Sequence, residues 1–374
     1  MLAVAAGTVT VLPGFLVGAL ALQIRGPLDA SVEAVAAGVS VFFLAGALAA
    51  GPGGRLSERT GALSAMTASA LVTCVCLLAA GLLAESLVLL FACLVIAGVA
   101  NAVAQPAINL FMADQVPMER QGLAFGIKQS AIPAAVLISG LALPVLAIPL
   151  GWRATFVICA LAPLGVALVL ARQAASLRPV PEREPPPRPS RALILIALGA
   201  ALGSSAPCAL SAYLVASAVD AGIAEGTAGI LAAVGSGVSL AVRLTVGVRA
   251  DRRLDYGFRV VVTLLASGSV GFALLAFGAP LPFAVGAVLA FALGWGWPGI
   301  FNMVVVHLHR DSPGAATGIS QTGIYVGAGG GPAAFGALYS MSGYTVAWLV
   351  TAVVALGAAL VMALAGRQVA LSRR

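Results

Sequence analysis

The chain has 374 residues, 61% hydrophobic and 9% charged, with 20 Lys and Arg against 13 Asp and Glu and a formal net charge of +7. Water-soluble domains carry about 25% charged residues, so this chain cannot cover its own surface with polar groups, and its mean hydropathy of +1.06 points to helices dissolved in lipid. The positive excess does not indicate nucleic acid, because the basic residues stand between apolar runs and do not gather on one soluble face.

A helix crossing the hydrocarbon core needs about 20 apolar residues, and twelve helices of about 22 would use about 264, leaving the remainder for loops and tails. Hydropathy and helix breakers predict spans near 2–24, 30–50, 63–83, 87–112, 122–148 and 153–171, then near 192–216, 225–248, 259–278, 281–307, 314–338 and 344–366. The run 2–24 has no charged leading segment and is too long for a signal-peptide core, so it reads as the first span. Between spans six and seven stands RQAASLRPVPEREPPPRPSR, residues 172–191, with six prolines, five arginines and two glutamates. Such a segment cannot cross lipid and reads as an extended, solvated cytoplasmic linker. The expected organisation is a six-helix bundle over 1–171, the linker, and a second six-helix bundle with a short basic tail over 192–374. The expected fold class is an all-α membrane protein of twelve transmembrane helices in two pseudo-symmetric bundles.

Cytoplasmic loops retain positive charge. Assigning the even-numbered loops, the linker and the C-terminal tail to the cytoplasm collects sixteen arginines there, and only Arg25 and Arg153 fall on the other side. Both termini are therefore expected in the cytoplasm, in a multi-pass protein of the cytoplasmic membrane. The halves also repeat each other. A gapless shift of 192 positions superposes Pro106 on Pro298, Ile108 on Ile300, Gly122 on Gly314, Gly126 on Gly318, Ile127 on Ile319 and Gln129 on Gln321. A parallel repeat is the architecture expected when a substrate binds at the midplane and the halves rock around it. The five cysteines, Cys74, Cys76, Cys93, Cys159 and Cys208, fall inside apolar stretches with no CxxC pair, which indicates packing and neither a disulfide framework nor a zinc site.

Gly54-Arg55-Leu56-Ser57-Glu58-Arg59-Thr60-Gly61 follows the second span, and Gly247-Val248-Arg249-Ala250-Asp251-Arg252-Arg253 follows the eighth. In both, an acid stands four residues after a glycine and is followed by arginine. This resembles the loop signature G-x-L-x-D-R-x-G of the major facilitator superfamily in its two repeat positions. Gly151-Trp152-Arg153-Ala154-Thr155-Phe156 at the start of helix 6 and Gly327-Ala328-Gly329-Gly330-Gly331-Pro332 in helix 11 add to the resemblance, which spans essentially the whole chain. It implies secondary transport by alternating access, with Gly54, Glu58, Arg59, Gly247, Asp251 and Arg252 gating the cytoplasmic side as a latch in the outward-facing state. Read from the residues alone, glycine permits close helix approach and an acid beside arginine can pair with a neighbouring helix end, while a plain positive-inside anchor would use the same arginines. Glu58 replaces the usual Asp and lengthens the reach.

Two cations remain inside the membrane. Lys128, the chain's one lysine, lies about 9 Å into the fifth span, and Arg243 lies about 12 Å before Asp251 in the eighth. Intramembrane charges are functional candidates. Superfamily architecture implies that helices 5 and 8 adjoin where the halves meet, so both cations can face one cavity. Alternatively, Lys128 snorkels to the cytoplasm and Arg243 serves a loop carbonyl or Asp251. The spacing of Arg243 and Gly247 resembles R-x-x-x-G in helix 8 of monocarboxylate carriers, which implies carboxylate binding by the arginine. Asn101, Gln105 and Asn109 recur every four residues and share a helix face, suited either to interhelical hydrogen bonding or to a cavity wall. Gln129, in repeat register with Gln321, joins the candidates, as do Tyr325 and Trp297, which occupies the repeat position of Gln105. Trp295 reads as packing.

Absences narrow the chemistry. No acidic residue lies in the interior of a span, so the carboxylates that exchange a proton for a cationic drug are missing, and the fifth span lacks the GPxxGG pattern of drug antiporters. Lys128 belongs to no G-x-x-x-x-G-K loop, which excludes an ATP-driven pump. His307 and His309 lack a third ligand, so no metal is expected, nor any cofactor or enzymatic activity. The reading is a monomeric secondary transporter for a small organic or inorganic anion, with substrate-binding residues Arg243, Lys128, Asn101, Gln105, Gln129, Trp297, Gln321 and Tyr325. Its partners are the small-molecule substrate, the lipid bilayer, and a coupling proton or counter-substrate. The alternatives are a drug or neutral-metabolite efflux carrier of the same superfamily and a non-transporting membrane sensor.

Overall fold

The computed structural model describes residues 2–115, 127–174, 190–250, 257–308 and 313–372. Eleven of its elements are long and apolar enough to cross a bilayer. The first half contributes α1 Leu2–Ala19, α2 Val32–Thr60, α3 Ala62–Leu83 and α4 Leu87–Gln115, then α5 Ala131–Leu150 and α6 Trp152–Gln173. The second contributes α7 Arg191–Asp220, α8 Glu225–Ala250 and α9 Gly257–Leu275, then α10 Pro280–Val305. The last element, Pro313–Ser372, is two helices, because Gly343 takes φ 76 and ψ 178, a conformation open to glycine and costly for other residues. They are α11 before Gly343 and α12 after it. The twelve helices form the all-α fold expected from hydropathy, with no strand among the described residues.

The fifth span is broken by a turn at Gln129 and Ser130 and carries a π turn at Leu143–Ala147, and three further elements depart from the expected spans for local reasons. The first span ends at Ala19 and not near residue 24: Leu20 leaves helical geometry at φ −100, ψ 12, and a separate short helix Ala21–Arg25 follows. The second continues through the whole signature to Thr60 and stops only where Gly61 takes φ 84. The helix runs on through Gly51-Pro52-Gly53-Gly54, although each glycine costs about 1 kcal/mol relative to alanine and an interior proline costs more. The tenth is interrupted: Pro280–Leu289 is regular, Ala290–Gly294 is a π turn, and regular helix resumes at Pro298. Pro298 has no N–H for the turn below it, and Gly294 and Gly296 resist continuation of the helix.

The packing is asymmetric along the membrane normal. At the end carrying the termini, each half keeps its own core. In the first half Ala6, Met66, Ile108 and Met112 cluster, and in the second Ile196, Leu265, Trp297 and Met362. Towards the opposite end the halves share one core, which joins Phe15, Phe42, Leu94 and Phe156 to Tyr213, Phe291, Phe335 and Trp348. There the backbones of α5 and α8 nearly touch. A Cβ on Gly140 would lie 2.7 Å from the Gly229 carbonyl oxygen, and one on Gly229 would lie 2.6 Å from that of Gly140. A Cβ on Gly18 of α1 would similarly come 3.0 Å from the Ser211 carbonyl of α7. Gln23 closes the rim by donating from Nε2 to both carboxylate oxygens of Glu225, at 2.9 and 3.0 Å. The molecule is closed at the end opposite its termini.

Candidate functional site

The helix interruptions explain where Arg243 goes. Trp295, at φ −115 and ψ 5, follows the π turn of α10 and leaves the helix, which frees its carbonyl at membrane depth. Lipid offers no hydrogen bond to such a group, so the protein must supply one. Arg243, 3% exposed on α8, supplies it: Nε and Nη2 donate to the Trp295 carbonyl oxygen at 2.9 and 2.6 Å. Its Nη1 donates across the halves to the carbonyl oxygen of Gln129, in the turn that precedes α5. One guanidinium therefore ties an interruption in the second half to one in the first. Three of its five N–H groups are engaged this way, leaving two.

Lys128 is the neighbour of Gln129 and is 5% exposed. Its ammonium donates to Asn109 Oδ1 at 2.7 Å, so it is held by the amide face of α4. Farther along that face, Asn101 collects three bonds at 3.3 Å. Thr10 Oγ1 and Gln105 Nε2 donate to its Oδ1, and its Nδ2 donates to the hydroxyl of Tyr325 on α11. The Asn101–Tyr325 bond is a second polar link between the halves. Gln321 stands one turn before Tyr325 and is half-buried.

Aromatic rings join these two polar clusters. Phe291 stacks on Trp295 with centroids 5.9 Å apart, Trp295 meets Phe15 at 5.6 Å, Phe15 meets Phe43 at 5.6 Å, and Phe43 lies 6.4 Å from Tyr325. The belt runs from the second half through the first and back. The Arg243 guanidinium also lies 6.0 Å from the Trp295 ring.

Residues 2–282 match the Major Facilitator Superfamily. The chain belongs to the Major Facilitator Superfamily. It is therefore an integral, multi-pass membrane protein and a secondary transporter, in a superfamily whose members in general are not enzymes. A search of curated proteins found no match to the chain.

The first superfamily signature and Gly247, which opens the second, lie at the end that carries the termini. Glu58 and Arg59 are exposed on the last turn of α2, and both Gly54 and Gly247 have open space where a Cβ would stand. Asp251 and Arg252 lie outside the described residues. Ser57, in the middle of the first signature, is fully buried and donates to the Val103 carbonyl of α4 at 2.8 Å, a packing role inside one half. Trp297 sits away from the belt. It is fully buried in the second half's own core, edge-on to Phe301 at 5.1 Å. Trp295 occupies the seam instead. The signal for it lay in Gly294-Trp295-Gly296-Trp297-Pro298, a sequence that cannot run as one helix and so exposes a carbonyl near the middle of α10.

Proposed function

We propose that this transporter moves a small organic or inorganic anion across the cytoplasmic membrane by alternating access, as a monomer with both termini in the cytoplasm. The observation that carries the reading is that two buried cations make hydrogen bonds only to neutral oxygens: Lys128 to Asn109 within the first half, and Arg243 to Trp295 and, across the halves, to Gln129, the residue next to Lys128. Burying charge without a counter-ion is costly, and an anion between the two offsets that cost for both. Arg243 keeps two N–H groups for the anion, Lys128 adds a point charge, and Gln105, Asn101, Gln321 and Tyr325 complete a polar wall.

The closed end fits a carrier waiting for substrate from the side of its termini or releasing substrate there. A monovalent anion entering a cell works against about 2.3 kcal/mol per 100 mV of interior-negative potential. With no carboxylate in the interior of any span, the compensating charge must come from a counter-substrate or from a proton carried on the bound substrate. The test is thermal stabilisation of the purified protein by a panel of carboxylates, cyanate, nitrate and neutral drugs, since a ligand of the folded form raises its stability. Stabilisation by anions is expected. Stabilisation by neutral drugs alone would replace this reading with efflux of apolar solutes.

A further inference from the structure

The charge of the chain is divided between its two ends. With the loops assigned as above, the end carrying the termini holds sixteen arginines against eight acidic side chains, and the opposite end holds Arg25 and Arg153 against Asp29, Glu33, Glu85, Asp220 and Glu225. Arginine is retained on the cytoplasmic side by the rule that orients membrane proteins, but Asp and Glu contribute little to that rule, so topology does not account for the acids opposite. Two of them are placed by the fold. The shift of 192 positions that superposes the halves also superposes Glu33 on Glu225, in the first turns of α2 and α8. Each is half-buried where its helix meets the other half. Glu225 accepts from the Gln23 amide, and a Cβ on Gly336 of α11 would lie 3.9 Å from Glu33 Cβ and 2.3 Å from the Tyr213 hydroxyl of α7. Gln23 and Tyr213 bring no positive charge to these junctions. Arg153 lies instead over the Trp152 ring of α6, 4.7 Å from its centroid.

We infer that the transporter exports its anion, collecting it at the arginine-rich mouth and releasing it past Glu33 and Glu225. The inference rests on the anion reading and the orientation above, and gives them a direction. A positively charged mouth raises the local concentration of an anion, whereas a negatively charged one lowers it and disfavours rebinding after release. The driving force has the same sense. An interior-negative potential of about 100 mV sustains an outward gradient of about 50-fold for a monovalent anion. Export therefore needs no coupling ion, which suits spans with no carboxylate in their interior.

The test is flux of labelled pyruvate, cyanate and nitrate in membrane vesicles from cells making the full-length protein, right-side-out and everted, with vesicles lacking the protein as background. Everted vesicles made interior-positive with external potassium and valinomycin are expected to accumulate anion with equal pH on both sides. They should also half-saturate at a lower concentration than right-side-out vesicles. The double variant Glu33→Gln, Glu225→Gln is expected to lower the half-saturating concentration at the outer face about threefold at low ionic strength, since a charge about 10 Å away in water changes local concentration about twofold. In about 1 M salt, where the Debye length is about 3 Å, that gain should vanish. Half-saturation at the cytoplasmic face should not move, which also shows that the variant is folded. Accumulation that requires a pH gradient, tighter half-saturation at the outer face, or an outer face unchanged in the double variant overturns the inference and leaves the anion reading standing. Absence of flux for all three anions overturns both.

Discussion

At the scale of single residues, Arg243 is a structural cation as well as the proposed ligand of the anion. Removing it leaves the Trp295 carbonyl without its donor, and a buried orphaned acceptor costs about 1–3 kcal/mol. Arg243→Gln is therefore expected to lower the melting temperature of the ligand-free protein, as well as to abolish anion binding. Lys128→Gln should be milder, because an amide N–H can still donate to Asn109 Oδ1. Melting curves of the two purified variants check the order, and equal, unperturbed melting of both would contradict it. The depth of Arg243 and the shared face of Asn101, Gln105 and Asn109 were legible from spacing alone. Their partners were not: the bonds of Arg243 go to backbone carbonyls, which every residue carries, and only the break at Trp295 makes one of them need a donor. Trp297 was singled out by repeat register, which aligns positions along the helices. The interruption of α10 and the burial of Trp297 in the second half's core keep it from the seam.

At the scale of elements, the glycines explain which helices pack backbone to backbone. Gly323, Gly327 and Gly331 recur every four residues on α11, and a Cβ at any of them would strike the backbone of Ala197, Ala201 or Ser205 on α7. Ser204 Oγ adds a bond to the Ile324 carbonyl at 3.1 Å. Small residues at this spacing are how helices associate in lipid, where burial of apolar surface gives no advantage. Gly327→Leu is expected to destabilise by about 3 kcal/mol, at the upper end for overpacking, since the obstacle is main chain and cannot rotate aside. Gly330, with open space around it, should accept alanine with little change. Comparing the melting temperatures of Gly327→Leu and Gly330→Ala checks this, and equal effects would contradict it. The helices themselves were legible, because a run of about 20 apolar residues has few alternatives. Their ends were less so. Hydropathy weighs composition, while the end of α2 depends on the positive φ available to Gly61.

At the scale of the whole molecule, closure at one end implies a second state in which the shared core parts. Gly140 and Gly229 should permit that closure. Gly140→Leu is expected to wedge α5 from α8 and shift the protein towards the state open opposite its termini. Gln23→Ala should shift it less, since the Glu225 carboxylate at the rim can turn to water. Spin labels on Ser86 and Ala279, exposed in loops of the two halves, would report the change as a longer distance. An unchanged distance in Gly140→Leu would contradict the assignment of the gate. At the other end, the proposed latch predicts that Asp251→Asn or Glu58→Gln slows turnover more than it weakens binding, because the state it would hold is the opposite one.

The central claim is that Arg243 binds the transported anion in a way that needs its planar fork as well as its charge. The direct measurement is uptake of a labelled monocarboxylate into proteoliposomes preloaded with the same anion, for wild type, Arg243→Lys and Lys128→Gln. Lysine keeps the charge but cannot form two parallel bonds to a carboxylate or bridge the Gln129 and Trp295 carbonyls in the same way. The account predicts exchange in wild type, reduced exchange in Lys128→Gln and none in Arg243→Lys. Exchange by Arg243→Lys at the wild-type rate would contradict it.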